Sequence, residues 1–224
     1  MDTKLTELVF LLDRSGSMNG LEKDTIGGFN GMIEKQKNGE GKINVTTVLF
    51  DDKIEIIHDR FPLEAVKPLT EEDYSVRGCT ALLDAIGFSI KKMENIEKRL
   101  PEEHRAEKII FVITTDGLEN SSTHYGYESI RKLISAKKEC GWEFIFLGAN
   151  IDAEEEAQRM GIDRKHAVTY ENDAAGIQEN YLTIGKFLRK AVTTGKGVDF
   201  LDDDWKKDIE RTRDKSRRKK KQKR

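Results

Sequence analysis

The sequence predicts an α/β fold with a mostly parallel central sheet, one antiparallel edge strand and helices on both faces. Three observations predict it. Short apolar runs bounded by turn residues alternate with longer segments whose apolar residues recur near a 3.6-residue period. Two runs, residues 8–12 and 109–113, are apolar throughout, as buried strands are. Asp51-Asp52-Lys53 stands between two strand-like runs and reads as a hairpin, which sets one strand antiparallel.

The first strand covers residues 6–12. A helix over 19–36 follows, with Leu21, Ile26, Phe29, Met32 and Ile33 near the helical period, and Asn38-Gly39-Glu40-Gly41 turns the chain. Residues 43–50 and 54–58 are the hairpin strands. The stretch 61–76 carries Pro62 and Pro68 and is mostly loop. A helix over 81–100 stops at Pro101, and 108–115 is the central strand. Residues 125–140 form a helix ended by Gly141, 142–147 a strand, 151–160 a short helix and 166–169 a short strand. The helix 173–192 completes the pattern.

At 224 residues and 37% hydrophobic content, the chain is sized for one domain with a substantial core. That domain occupies residues 1–200. No apolar run approaches the ~18 residues that span a bilayer, and Met1-Asp2-Thr3-Lys4 has no secretory pattern, so the expected location is cytoplasmic. Cys79 and Cys140 are too few for a disulfide framework or a zinc site. Residues 205–224 hold 12 Lys/Arg against 3 Asp/Glu, a net +9, while the preceding 204 residues carry −11. Residues 201–224 are therefore a basic tail, disordered or a frayed helix, that either touches a polyanion or docks loosely on its own acidic domain.

In Leu11-Leu12-Asp13-Arg14-Ser15-Gly16-Ser17 an apolar strand ends in a carboxylate followed by two hydroxyls at alternate positions. Open α/β sheets place ligands at such strand ends, and clustered hard oxygens suit magnesium or manganese. The same residues also suit a helix N-cap. Two further segments add to the pattern: Gly78-Cys79-Thr80 ahead of a helix, and the central strand ending in Asp116-Gly117. Together, Asp-x-Ser-x-Ser, the Gly-x-Thr loop and strand-Asp-Gly resemble the metal-ion-dependent adhesion site of the von Willebrand factor A domain family, and no position of the pattern is substituted.

The resemblance implies a Rossmann-like fold over roughly the first 200 residues. It further implies a Mg2+ or Mn2+ site formed by Asp13, Ser15, Ser17, Thr80 and Asp116. It makes the chain a protein-binding module in which a partner's Asp or Glu replaces a water on the ion. In the family, contact can shift from the position of Asp116 to that of Thr80 when ligand binds. Two rival functions remain: a magnesium-dependent hydrolase or phosphotransferase with Asp13 as nucleophile, and polyanion or nucleic-acid binding through the tail. The first is weakened because Ser15, not a second Asp, follows Asp13 by two residues.

Around the site, Asp84 either holds a water, orients Arg77 or serves the helix dipole. Glu119 and Asn120 either line the rim or cap a helix. Arg14, Met18 and Arg77 are placed on the outer face around the ion. His124 is the one candidate base, and no histidine pair has metal-ligand spacing. No dinucleotide glycine motif follows the first strand, and no Gly-x-Ser-x-Gly elbow is present.

Overall fold

The computed structural model describes residues 5–39, 41–194 and 203–222. Among them, β1 (Leu5–Asp13), β2 (Lys42–Phe50), β3 (Ile54–Pro62), β4 (Lys108–Thr115), β5 (Glu143–Ala149) and β6 (Ala167–Tyr170) form one sheet. Its order is β3-β2-β1-β4-β5-β6, and every neighbouring pair is parallel except β2 with β3. The expected architecture, with its antiparallel edge, is the one observed.

Chain order runs outward from β1 on one side and from β4 on the other. The connections therefore diverge between these two central strands, and the crevice beyond their carboxyl ends is the switch point where such sheets take ligands. Register sets Asp13 opposite Phe50 and Leu12 opposite Thr114. Asp13 and Asp116 thus leave adjacent strands at the same edge.

Helices α1 (Glu22–Lys37), α5 (Ala174–Thr194) and α6 (Lys207–Gln222) cover the face that carries Leu8, Phe10 and Leu12. On the other face, α2 (Leu82–Arg99), α3 (Tyr127–Glu139) and α4 (Ala153–Met160) cover Val9 and Leu11. Burial on both sides explains the unbroken apolar run in β1. Helix α1 starts later than its periodicity suggests. Gly16–Met18 winds into a 3-10 turn and Gly20 sits at φ +86°, so the right-handed helix begins only beyond it. Strand β3 runs on to Pro62 through a bulge at Arg60, whose φ is +54°; an edge strand accepts the proline.

Within the basic tail, Lys207–Gln222 is a helix packed on α5 and β6, so it docks on its own domain. Ile209 is 1% exposed within the core, Trp205 Nε1 donates to Lys165 O at 2.9 Å, and Lys206 Nζ donates to Arg164 O at 2.6 Å. Net charge conceals these anchors, because two apolar side chains among many cations suffice to seat the helix. Residues 1–4, Glu40 and the boundary expected near residue 200 lie outside the described residues.

Candidate metal centre

The structure brings Asp13, Ser15, Ser17, Thr80 and Asp116 together. Ser15 Oγ lies 3.1 Å from Ser17 Oγ and 3.0 Å from Thr80 Oγ1, and Ser17 Oγ hydrogen-bonds to Asp116 Oδ1. Asp13 joins them through Oδ1, which accepts from Ser15 N at 2.7 Å, and Oδ2, which accepts from Thr115 Oγ1 at 2.6 Å. Asp13, Ser15, Thr80 and Asp116 are at most 3% exposed. Ser17 is exposed, so the oxygens line a cup that opens there.

Neighbouring loops hold this cup by cross-links. Gly78 adopts φ +66°, and a Cβ there would meet Asp52 Oδ1 at 2.1 Å, so glycine is what brings Thr80 up to Ser15. Asn120 grips Thr80 from the Asp116 loop: Thr80 N donates to Asn120 Oδ1 at 2.9 Å, and Asn120 N donates to Thr80 O at 3.1 Å. Glu119 caps α2 by accepting from Leu83 N at 2.9 Å. In return, Asp84 in the first turn of α2 accepts from the N–H groups of Thr123, His124 and Tyr125 at 2.9, 3.0 and 2.8 Å. Burial opposes the Asp84 charge, but these donors and His124 outweigh it and hold the carboxyl below the ordinary aspartate value.

A second clamp fixes the first loop. Asp51, fully buried at the β2–β3 turn, accepts from Arg14 Nε at 3.0 Å, Arg77 Nε at 2.7 Å and Lys53 N at 2.6 Å. Burial works against its charge, and these donors overcome it, so its carboxyl also lies below the usual range. The sequence marks Asp51 only as part of a hairpin.

Asp13 and Asp116 differ from those two acids. Burial pushes the Asp13 carboxyl up to about 6, with the like charge of Asp116 contributing, and burial raises Asp116 as well. Among the described residues, neither is paired with a lysine or arginine. Two carboxylates and three hydroxyls form an all-oxygen donor set for a hard divalent cation. Around an octahedral ion with ligands at about 2.1 Å, neighbouring oxygens stand about 3.0 Å apart. Ser15 Oγ stands at that spacing from both Ser17 Oγ and Thr80 Oγ1, so the residues fit the ion.

The profile of the von Willebrand factor type A domain matches residues 7–181. The chain belongs to that family. Solved structures of similar fold include the vWF domain of a type V pili tip protein from Porphyromonas gingivalis, at 12% identity and a TM-score of 0.62, covering 89% of this chain and all of that one. Proximal thread matrix protein 1 from the mussel byssus, with a zinc-occupied MIDAS motif, aligns at 15% identity and a TM-score of 0.57. That alignment covers 84% of this chain and 46% of the mussel protein, so the chain spans less than half of that relative. The manganese-loaded TRAP protein of Plasmodium vivax aligns at 17% identity and a TM-score of 0.54, over 80% of this chain and 74% of that one. No curated protein matches the sequence. At these identities, the likeness establishes the fold.

Several residues of this VWA domain sit elsewhere than their spacing implies. Arg14 and Met18 are not on the outer rim: they are 1% and 4% exposed, Arg14 being committed to Asp51. Arg77 is half-exposed but also bound to Asp51, not to Asp84. His124 is 80% exposed and rests on Asp84, turned to a structural partner. Sequence reasoning misses Asn172, in the β6–α5 loop. Its Nδ2 donates to Asp116 Oδ2 at 2.9 Å, and its Oδ1 is a buried oxygen with no hydrogen-bond partner at the rim of the cup. Nothing in the local sequence marks it; only the shared edge on which β4 and β6 end points to that loop.

Proposed function

We infer that this VWA domain binds a divalent cation, magnesium or manganese, and uses it to accept an Asp or Glu side chain of a partner protein. The observation that carries this reading is the buried Asp13–Asp116 pair beside three hydroxyls, with Ser15 Oγ at octahedral-edge distance from those of Ser17 and Thr80 and an opening at Ser17. Asp13, Ser15, Ser17, Thr80 and Asp116 would hold the ion, and Asn120 fixes Thr80 toward it. When bound, the ion supplies a positive charge that the described side chains do not. The hydroxyls add no negative charge, which leaves the ion attractive to an incoming carboxylate. The zinc- and manganese-holding structures of the same fold support this reading.

The nucleophile reading of Asp13 finds less support. Both of its oxygens are engaged and the side chain is 2% exposed, so an attacking geometry is not on offer. The free cysteines Cys79 and Cys140 suit a reducing compartment such as the cytoplasm. No described helix is long and apolar enough to cross a membrane.

Calorimetric titration of magnesium or manganese into EDTA-stripped protein tests the reading. A single binding event is expected, lost in Asp13→Ala and weakened about tenfold or more in Thr80→Val. Undiminished metal binding by Asp13→Ala would overturn it. Capture of a partner that survives EDTA would remove the ion from recognition.

A further inference from the structure

Helix α6 lies beyond the residues that match the family, and its course has a direction. At its start, Trp205 and Lys206 hold the carbonyls of Lys165 and Arg164, just before β6. Further on, Arg213 Nη1 reaches Thr169 O at 3.5 Å, within β6, and Arg217 Nε reaches Glu171 Oε2 at 3.2 Å, just past the strand's end. The helix therefore climbs alongside β6 toward the edge that bears the oxygen cup. Glu171 is the neighbour of Asn172, whose amide holds Asp116. From Arg217, α6 continues to Gln222, about 7 Å further along its axis. This last stretch contains Arg218, Lys219, Lys220 and Lys221.

A helix C-terminus welcomes one or two cations. Six Lys/Arg within residues 215–221, with no acid among them, exceed that need. At the same edge Leu118, directly after Asp116-Gly117, is 54% exposed, a large apolar side chain left in solvent. The oxygen cup, the exposed Leu118 and the end of α6 thus lie toward one edge of the sheet, and the sequence of that helix end is strongly basic.

We propose that the end of α6 and Leu118 extend the metal site into a composite docking surface for an acidic protein segment that carries an apolar residue. This rests on the reading of the cup given above. One acidic side chain goes to the ion, the apolar residue packs on Leu118, and neighbouring acids meet the α6 cations. Leu118 favours a protein over a nucleic acid, because a phosphodiester backbone brings no apolar group to it. The described part of α6 likewise offers no aromatic ring after Trp205 for bases to stack on. The α6 cations accelerate encounter and make binding salt-sensitive, while the ion fixes register.

The test uses the full chain with a fluorescent peptide of Glu-Glu-Leu repeats in millimolar magnesium. Replacing Arg218, Lys219, Lys220 and Lys221 together by Ser is expected to weaken binding about tenfold and flatten its salt dependence. The same variant should bind a Ser-Leu peptide with a single Glu about as well as wild type does. Leu118→Ser should weaken the repeat peptide about fivefold without altering magnesium titration. Repeat-peptide binding equal to wild type in the four-fold variant, with EDTA still abolishing it, overturns the composite surface and spares the metal site. Loss in the four-fold variant with no effect of EDTA or Asp13→Ala sinks the metal reading, and the composite surface with it. Tighter binding of an oligothymidine strand than of the peptide, lost in the four-fold variant, overturns the proposal in favour of nucleic acid. Circular dichroism of each variant confirms that the fold is kept.

Discussion

Strand β1 ends in a buried carboxylate region at both extremities, and the chain treats the two in opposite ways. Near its start, Glu7 is fully buried, and its Oε1 accepts from Arg60 Nε at 2.9 Å, Arg60 Nη2 at 2.7 Å and Asn44 Nδ2 at 2.8 Å. The chain bends itself to supply that cation, for Arg60 stands at φ +54° in the β3 bulge, a conformation uncommon for a non-glycine residue. At the other end, Asp13 and Asp116 receive hydroxyls, one backbone N–H and the Asn172 amide, but no cation from the described residues. A buried acid with its own guanidinium is part of the scaffold. A buried acid pair given only neutral donors is left to be neutralised by something that arrives from outside.

The largest effect should come from breaking the scaffold end. Arg60→Met leaves Glu7 buried and without its ion pair, and should cost about 3–5 kcal/mol in denaturant unfolding, with or without magnesium. If Arg60→Met costs no more than a surface substitution, the contrast between the two ends fails. Next comes the open end. Magnesium at about 100 times its dissociation constant should stabilise wild type by about 2.7 kcal/mol. Asp13→Asn should abolish that gain while changing metal-free stability by less than about 1.5 kcal/mol, since the amide oxygen can still accept from Ser15 N and the amide nitrogen can donate to Thr115 Oγ1, whose own proton turns to Gly117 O. A metal-free protein badly destabilised by Asp13→Asn would make Asp13 another scaffold acid. Asn120→Ala probes the support alone: metal affinity should fall about tenfold, while stability should fall by less than about 1 kcal/mol. Calorimetry and urea titration of the same variant separate the two quantities.

How legible this was in the sequence depended on whether a contact is local. Unbroken apolar runs announced β1, β4 and β5, because burial on both faces demands them. The five cup residues were legible because each sits at a strand end or helix start that the pattern marks. The clamps were not. Asp51 gave no sign of reaching Arg14 and Arg77, nor did Glu119 and Asn120 show that they would hold α2 and Thr80, for those contacts depend on which loops the sheet order brings together. Arg14 looked like a rim cation because it adjoins Asp13, yet its position at the end of a central strand turns it inward. The course of α6 was hidden for another reason: its average charge outweighed the two apolar side chains that seat it.

Asp84 offers the smallest and most specific check, because it is a scaffold acid at the same edge as the cup. Its carboxyl is held below the ordinary value of 3.8 by backbone N–H groups and His124, against the effect of burial. A depressed folded-state value means that its contribution to stability is complete above the unfolded value and is lost as pH falls through the folded one. Wild type should therefore lose stability from this group as the pH falls below about 4 and through the depressed folded-state value. Asp84→Asn should be less stable at neutral pH and show a shallower acid limb, converging with wild type at the acid end. Parallel acid limbs would mean that the loop binds this side chain equally well without its charge. In that case the link between the Thr80 and Asp116 loops would rest on Glu119 and Asn120 instead.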